Sequence, residues 1–251
     1  MAIVGTDLLA YGAANHAEAN GTTQGGVIDT TTKVVFVDIA ATDSIKLQST
    51  NAGDTMNCTI TGRNAGGAIV SEVKALTGTT LTSATTASFE RILKIQLASP
   101  AAGTVTVTRT TGGTTIATLE PGITSVRRLF YNVAAEAVGG SSRDFYEKIF
   151  LKNTHGTLTL TEAQVLENAD PGGLITFDLE DAVNDNNSVA TRLNTAPTGM
   201  LGTFTNTAKS VPGGGNLVAS AAIGVWVKMT LPAGQAPAKN TWTCELTGNS
   251  T

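Results

Sequence analysis

The sequence predicts an all-β protein of two β-sandwich domains with an extended N-terminal arm. Three observations favour this fold class: 42 Thr and 27 Gly among 251 residues, short segments in which apolar and polar residues alternate, and a Pro-Gly break near the middle of the chain. Thr is β-branched and favours strands, whereas Gly supplies the turns between them. Because charged residues are only 14% of the total, the composition excludes a coiled coil, a helical bundle and a charged disordered chain.

The N-terminal arm is predicted over residues 1–29. Residues 12–16 and 20–26 are small and polar, and no helical or strand period runs through residues 1–26. Such segments are typical of extended arms or loops. We therefore expect the arm to be either disordered or ordered by a partner.

The first sandwich is predicted over residues 30–122. Strand patterns recur about every 10–15 residues with turn residues between them, which is the spacing of a β-sandwich. The predicted strands are 33–39, 44–48, 56–61, 68–73, 89–97, 104–109 and 115–119. Pro121 and Gly122 break the pattern, and the domain boundary is expected between Leu119 and Val126.

The second sandwich is predicted over residues 123–251. A turn is expected at 139–142, a polar loop over 180–190 and another loop over 232–237. The predicted strands are 126–133, 145–153, 158–165, 174–179, 223–229 and 242–246. No segment of more than about ten residues has the apolar period of a helix.

Charge and hydropathy exclude several partners. The net charge of −4 gives no clustered cations for nucleic acid. The longest apolar runs are strand-length, far short of the roughly 20 residues that span a membrane. The N-terminus lacks the pattern of a signal peptide, which predicts synthesis in the cytoplasm. The distant Cys58 and Cys244 are expected to be two buried thiols rather than a disulfide.

Residues for catalysis are scarce, and we predict no enzyme, no cofactor and no metal centre. His16 and His155 are the only histidines, and their spacing from the cysteines matches no zinc pattern. Both are expected to be exposed turn or loop residues. The chain contains no Gly-x-Ser-x-Gly nucleophile motif.

One acidic stretch leaves two alternatives open beside a solvated loop. Paired carboxylates can hydrolyse glycosides, and hard oxygen donors can bind calcium, although EF-hand spacing is missing. We expect a solvated acidic loop, because only Phe177 offers an aromatic ring for a sugar. The acidic residues are Glu162, Glu167, Asp170, Asp178, Glu180, Asp181 and Asp185, with Asn184, Asn186 and Asn187 beside them.

Six residues are candidates for an interface. Adjacent arginines on one strand point to opposite faces, so they predict a salt bridge between domains or to a neighbouring subunit rather than a basic patch. Trp is enriched in binding hot spots, although a Trp on a sandwich strand is more often in the core. The candidates are Leu8, Leu9, Tyr11, Arg127, Arg128 and Trp226.

The second half resembles structural proteins of tailed bacteriophages. The resemblance covers roughly residues 126–251, and residues 30–110 look like the immunoglobulin-like sandwiches found on phage particles. The segments that carry it are 129–133, 139–154, 158–160 and 224–234. The resemblance implies no catalytic or binding residues, because this group has no such motif to match.

The resemblance implies a capsid decoration, or cement, protein on the virion surface. Its partners would be the major capsid protein and copies of itself, as a trimer at a capsid three-fold position, with no direct nucleic-acid or membrane contact. The low charge content fits a chain built for packing against other proteins. Two other roles stay open: a neck, tail or baseplate protein, and a particle-displayed module that binds host glycans.

Overall fold

The protein is all-β, as predicted. The computed structural model describes residues 2–131, 141–235 and 241–250, and in these ranges the chain forms one 3₁₀ helix, η1, and sixteen strands. The elements are η1 (Gly5–Asp7), β1 (Leu8–His16), β2 (Gln24–Lys33), β3 (Ile45–Ser49), β4 (Asn57–Arg63), β5 (Ile69–Ala75), β6 (Arg91–Leu97), β7 (Val105–Arg109), β8 (Thr115–Leu119), β9 (Ser125–Arg127), β10 (Arg143–Asn153), β11 (Leu160–Ala169), β12 (Ile175–Val183), β13 (Ser188–Val189), β14 (Lys209–Ser210), β15 (Ala222–Leu231) and β16 (Thr243–Ser250).

The chain divides into two compact units. The inserted unit is Thr30–Leu129, and the discontinuous unit combines Met1–Asp29 with Phe130–Thr251. The predicted division differs in two ways: it ends the first domain at residue 122, and it separates residues 1–29 from both sandwiches. At residues 121–122 the chain makes a turn inside the inserted unit.

The inserted unit has two antiparallel layers of strands. One sheet has the order β9-β6-β4-β5, and the other has the order β3-β7-β8. Alternation along the strands buries one side of each sheet, an arrangement consistent with a β-sandwich. Its core includes Ile45, Leu47, Cys58, Ile60, Phe89, Ile92, Ile95, Val105 and Val107.

Asp54 joins three loops at one end of the inserted unit. Its carboxylate accepts hydrogen bonds from the Ser49 hydroxyl at 2.6 Å and from the backbone N–H groups of Ala102 and Gly103 at 2.9 and 3.0 Å. Its carbonyl accepts the N–H of Gly78 at 2.9 Å. The Ser49 hydroxyl and the two backbone N–H groups lower the pKa of this carboxyl below its usual value, because each stabilises the ionised form.

The discontinuous unit is built on the sheet β12-β15-β10-β1-β2, with β13 paired to β2. A second sheet has the order β14-β11-β16. Strands β10 and β15 are buried on both faces along most of their length. One face of β12 meets the second sheet's end, where the rings of Phe177 and Trp242 lie 6.1 Å apart. Charged residues of these central strands therefore lie in the interior.

The predicted N-terminal arm is wrong as a description of residues 8–16 and 24–29. β1 pairs with β10 from Leu8 opposite Asn153 to Gly12 opposite Ile149. The middle of β1 does not alternate: Tyr11, Gly12 and Ala13 are buried in succession, and Ala13 packs against Phe150. Small size here reflects close packing rather than a loop.

Two further predictions differ from the structure. β2 ends at Lys33, and the apolar run 34–39 is not a strand: Val35 and Val37 are 59% and 54% exposed, and the Val37 N–H bonds to Ile116. The predicted loop 180–190 begins inside β12, which continues to Val183. Parts of the predicted strand 126–133, the turn 139–142 and the loop 232–237 lie outside the described residues.

Cys58 and Cys244 are both free thiols, which confirms the prediction that they do not form a disulfide. Cys58 is fully buried in the core, whereas Cys244 on β16 is half-buried. Burial raises the pKa of each thiol to about 12. The thiolate, which is the reactive form, is therefore disfavoured at both positions.

Replacing Asp54 by Asn should remove a pH-dependent stabilisation. A carboxyl whose pKa is lowered by folding stabilises the native state above its usual pKa and loses this effect as the pH falls. We expect Asp54→Asn to unfold at lower urea concentration than the wild type at pH 7, with a difference that shrinks below about pH 4. The control is Asp181→Asn, because Asp181 is exposed. If the stability difference between the wild type and Asp54→Asn did not change with pH, the lowered pKa of Asp54 would be contradicted.

Both cysteines should resist alkylation in the folded protein. We expect iodoacetamide at about pH 8 to leave native Cys58 and Cys244 unlabelled and to label both after denaturation, because a thiol of raised pKa forms little thiolate. Intact-mass spectrometry counts the labels. Rapid labelling of either native thiol, or a denatured chain that takes no label without a reductant, would contradict this description.

Candidate functional site

Three of the six candidate interface residues are covered by the chain's own structure. Tyr11, Arg127 and Trp226 are 8%, 1% and 0% exposed. Leu8 and Leu9 are half-buried on β1, where they belong to the sheet rather than to a free arm. The interface prediction is therefore wrong for the three buried side chains as the chain is folded here.

Arg128 forms its ion pair inside the inserted unit, with Asp38. Its Nε donates a hydrogen bond to the Ile92 carbonyl at 2.7 Å, and its guanidinium lies 4.9 Å from the ring centre of Phe36. Burial, together with the nearby charge of Arg91, lowers the pKa of Arg128 to about 10. Arg128 therefore forms its salt bridge within one unit, whereas the sequence predicted a salt bridge to another domain or subunit.

Both histidines have local structural contacts. The Nδ1 of His16, on β1, lies 2.6 Å from the Ala13 carbonyl oxygen. His155 follows β10, and its Nδ1 accepts the N–H groups of Thr157 and Leu158 at 3.2 and 3.0 Å. His155 is thus a half-buried turn residue whose acceptor nitrogen closes the turn.

The acidic stretch is not a solvated loop, and that prediction is wrong for its central residues. Asp178 and Glu180 are both 0% exposed on β12, whereas Asp181 is exposed. The Asp178 carboxylate accepts the N–H of Gly202 at 3.0 Å and lies 3.2 Å from the ammonium of Lys209. The sequence does not reveal this burial, because strand β12 continues from apolar residues into acidic ones, and the partners of those acids lie far away in the chain.

The strongest constellation in the described residues is the lysine cluster, which consists of Lys148, Glu180, Asp185, Asn187 and Trp226. The ammonium of Lys148 lies 2.9 Å from Glu180 Oε1 and contacts Asp185 Oδ1. The indole N–H of Trp226 donates to Glu180 Oε1 at 2.6 Å, and the amide of Asn187 donates to Glu180 Oε2 at 2.7 Å. One buried cation is therefore shared by two carboxylates, one of which is held by two further donors.

Glycines make the space for the lysine cluster. A Cβ at Gly224 would lie 2.5 Å from Asp185 Oδ2, 2.7 Å from Lys148 Cε and 2.8 Å from Glu180 Cγ. A Cβ at Gly25 would lie 2.8 Å from the Trp226 ring. These contacts are too close for a side chain, so both positions require glycine for packing reasons.

A second buried group, the arginine cluster, consists of Arg192, Glu18 and Glu147. The Nη2 of Arg192 lies 2.7 Å from Glu18 Oε2 and 2.7 Å from Glu147 Oε1, and its Nη1 donates to the Glu18 carbonyl at 2.6 Å. The rings of Phe145 and Phe130 lie 5.5 and 5.7 Å from its guanidinium carbon. This cluster fastens the turn between β1 and β2 to β10.

The charged groups of both clusters interact with one another and are shielded from solvent. Lys148, Glu147, Glu180 and Arg192 are at most 1% exposed, so no substrate reaches them in this state. Across residues 2–131, 141–235 and 241–250, no three His, Cys, Asp or Glu side chains converge as metal ligands. In the lysine cluster the ammonium occupies the place between carboxylates that a cation such as calcium would take. Within the same residues no helix is long and apolar enough to cross a membrane.

The comparisons with protein-family models, with curated proteins and with solved structures found no match. The fold defines an all-β protein with internally paired buried charges. The resemblance to phage structural proteins stays a prediction, and the function is inferred from the geometry of this chain.

Removing the arginine cluster's cation should be strongly destabilising. We expect Arg192→Met to lower the free energy of unfolding by about 3–5 kcal/mol, because the buried carboxylate of Glu147 would lose its ion pair with the Arg192 guanidinium. Glu147→Gln added to Arg192→Met should recover part of this loss. Urea denaturation followed by circular dichroism measures both effects.

Lys228→Met is the matched control, since its ammonium lies 4.0 Å from Asp144 and both side chains are partly exposed. It should change stability by less than about 1 kcal/mol. Equal losses for Arg192→Met and Lys228→Met would show that the arginine cluster does not hold the unit together.

Proposed function

We propose that the chain is a non-catalytic structural protein of a tailed-bacteriophage virion, which decorates the capsid exterior and stabilises it by bridging capsid subunits. Each unit is proposed to be an immunoglobulin-like sandwich. The observation that carries the proposal is the open sheet edge of β5. The resemblance of residues 126–251 to phage structural proteins supports the choice of particle.

β5 is an edge strand whose exposed face carries two apolar side chains, while its other face carries Glu72 and Lys74. Within the described part of the chain only β4 pairs with it. Ile69 and Val73 are 41% and 58% exposed and point to the same side as Ser71. Its one lysine, Lys74, donates to the Ser83 hydroxyl at 2.8 Å. Proteins usually protect sheet edges with charge, proline or bulges, because an open edge can pair with another strand.

The occupant that we propose for this edge is a segment of the neighbouring major capsid protein. A strand added to β5 would gain main-chain hydrogen bonds, and alternate side chains would contact Ile69 and Val73. A specific interface of this kind buries roughly 1,600 Å² in total. Copies of the chain are proposed to meet as a trimer at capsid three-fold positions.

Internal pairing of the buried charges supports a structural role over a catalytic one. Acids that would be needed for glycan hydrolysis, Asp178 and Glu180, are fully buried. The two tryptophans that would anchor a glycan are also engaged: Trp226 donates to Glu180, and Trp242 donates to Glu167 at 2.8 Å. The mechanism does not use an N-terminal arm, because β1 and β2 belong to the chain's own sheet.

Copy number in purified phage particles tests the proposal. We expect quantitative mass spectrometry to give a ratio to the major capsid protein near one or a simple fraction of one, as symmetric decoration requires. Electron microscopy should place the chain on the capsid rather than in the tail tube. A handful of copies per particle would contradict decoration and indicate a neck, tail or baseplate role, and absence from particles would contradict the virion role.

Charging the β5 edge should prevent binding to capsids. We expect Val73→Lys to weaken binding to undecorated capsids by at least about tenfold, which corresponds to about 1.4 kcal/mol. Val218→Lys is the control, because Val218 is 52% exposed but lies outside any strand. Equal binding of Val73→Lys and the wild type in a co-sedimentation assay would exclude β5 as the contact.

A further inference from the structure

Three reactive groups of the lysine cluster converge beside one backbone position. A side-chain carbon at Gly224 would touch Asp185 Oδ2, Lys148 Cε and Glu180 Cγ at once, at 2.5, 2.7 and 2.8 Å. The side chains of Lys148 and Glu180 are 0% exposed and that of Asp185 is 4% exposed. An amine and a carboxyl are thus held together in a water-poor site with a second carboxyl in contact.

The two carboxyls have different surroundings. Both oxygens of Glu180 accept hydrogen bonds, from Trp226 and from Asn187. Asp185 Oδ1 contacts the Lys148 ammonium and accepts the Asn187 N–H at 3.1 Å, whereas its buried Oδ2 accepts no hydrogen bond from any described residue. Asp185 is therefore the carboxyl whose one oxygen is free to leave.

Aromatic rings line the amine. The Lys148 Nζ lies 4.9 Å from the ring centre of Phe150 and 5.5 Å from that of Trp226. Burial raises the pKa of Asp185 to about 6, with the charge of Glu180 acting in the same direction. The raised pKa makes this carboxylate a better proton acceptor, and the proposed reaction proceeds through the carboxylic acid and the neutral amine.

We propose that Lys148 and Asp185 form an intramolecular isopeptide bond, with Glu180 as the catalytic residue that relays the proton. This site lies outside the proposed capsid contact, and it depends only on the discontinuous unit's own residues. The proposal is independent of the proposed function.

The reaction balances without any added reagent. One Nζ proton of Lys148 moves to Asp185 Oδ2, and the amine lone pair then forms a C–N bond to Asp185 Cγ. Negative charge on Oδ1 is stabilised by the Asn187 N–H, as in an oxyanion hole. Glu180 Oε1 takes a second Nζ proton and returns it to the Oδ2 hydroxyl, the C–O bond breaks, and water leaves. An ammonium and a carboxylate have become an amide and one water, and Glu180 is regenerated.

The bond would span the central strand β15. Lys148 lies on β10, Asp185 follows β12, and these strands flank β15 on either side. The two residues are 37 positions apart in sequence. The cross-link would close a covalent loop around the position of Gly224, where the missing side chain leaves room for it.

Intact-mass spectrometry of the denatured, purified full chain tests the proposal. We expect the wild type to be lighter than its sequence by the mass of one water. Trypsin should leave Lys148 uncut and release a branched peptide in which residues 144–152 are joined to residues 153–192. Fragment ions that separate Glu180 from Asp185 should place the bond at Asp185. The full sequence mass in a folded wild type, or a water loss at any other site, would overturn the proposal.

Three variants and a control test the chemistry. Lys148→Arg and Asp185→Ala should have full mass because each lacks a reacting group. Glu180→Gln keeps both reacting groups and should also have full mass, or form the bond at least about a hundredfold more slowly, because it lacks the proton relay. Lys228→Arg, in the partly exposed pair with Asp144, should still lose one water.

Circular dichroism separates failed chemistry from failed folding. We expect Glu180→Gln to show the wild-type spectrum while it lacks the bond. A folded Glu180→Gln chain that forms the bond at the wild-type rate would overturn the role of Glu180. If Glu180→Gln does not fold, the mass of wild type that has been unfolded and refolded shows whether the bond is present. A covalent bond survives denaturation and keeps the mass one water lower, whereas an ion pair leaves the mass unchanged.

Discussion

The buried ammonium of Lys148 is the constraint around which the discontinuous unit is organised. Moving a charged group from water into a protein interior costs several kcal/mol unless opposite charge and hydrogen bonds offset it. Here two carboxylates do so, and Trp226 and Asn187 in turn fix one of them. The strands that carry these groups, β10, β12 and β15, are neighbours in one sheet, so the sheet order and the ion pairs require each other.

Much of the inserted unit could be predicted from its sequence because its strands have one buried and one exposed face. β7 and β8 follow the alternation of Thr with apolar residues, and their predicted and observed bounds nearly coincide. β1 could not be predicted in this way. Where neighbours cover both faces of a strand, alternation disappears, and small residues such as Ala13 are selected by available space. The run 34–39 shows the opposite error, since an apolar period alone does not supply a pairing strand.

The lysine cluster could not be predicted from the sequence either, because its members come together only in the fold. Local sequence shows an acidic stretch, and acidic stretches are usually solvated. What distinguishes this one is its partner, Lys148, which lies beside Glu147 in the middle of a strand pattern, residues 145–151, whose other members are all apolar or aromatic. A lysine inside such a pattern is a usable signal for a buried ion pair, but the identity of the acid depends on which strands become neighbours. Likewise, Gly25 looks like a loop residue in the sequence and is a packing position in the fold. The packing role of Gly224, inside the predicted strand 223–229, depends on side chains from other strands.

The order of the two units along the chain has a consequence for biosynthesis. The inserted unit is one continuous stretch, Thr30–Leu129, whereas β10, one of the two strands that pair with β1, lies more than a hundred residues after it. Translation adds residues from the N-terminus onward, and compact stretches fold as units while synthesis continues. On the ribosome, the inserted unit is therefore fully translated before β10 has been made and can pair with β1. The edge of β1 that pairs with β10 therefore stays open after β2 has been made, for a time set by the speed of elongation.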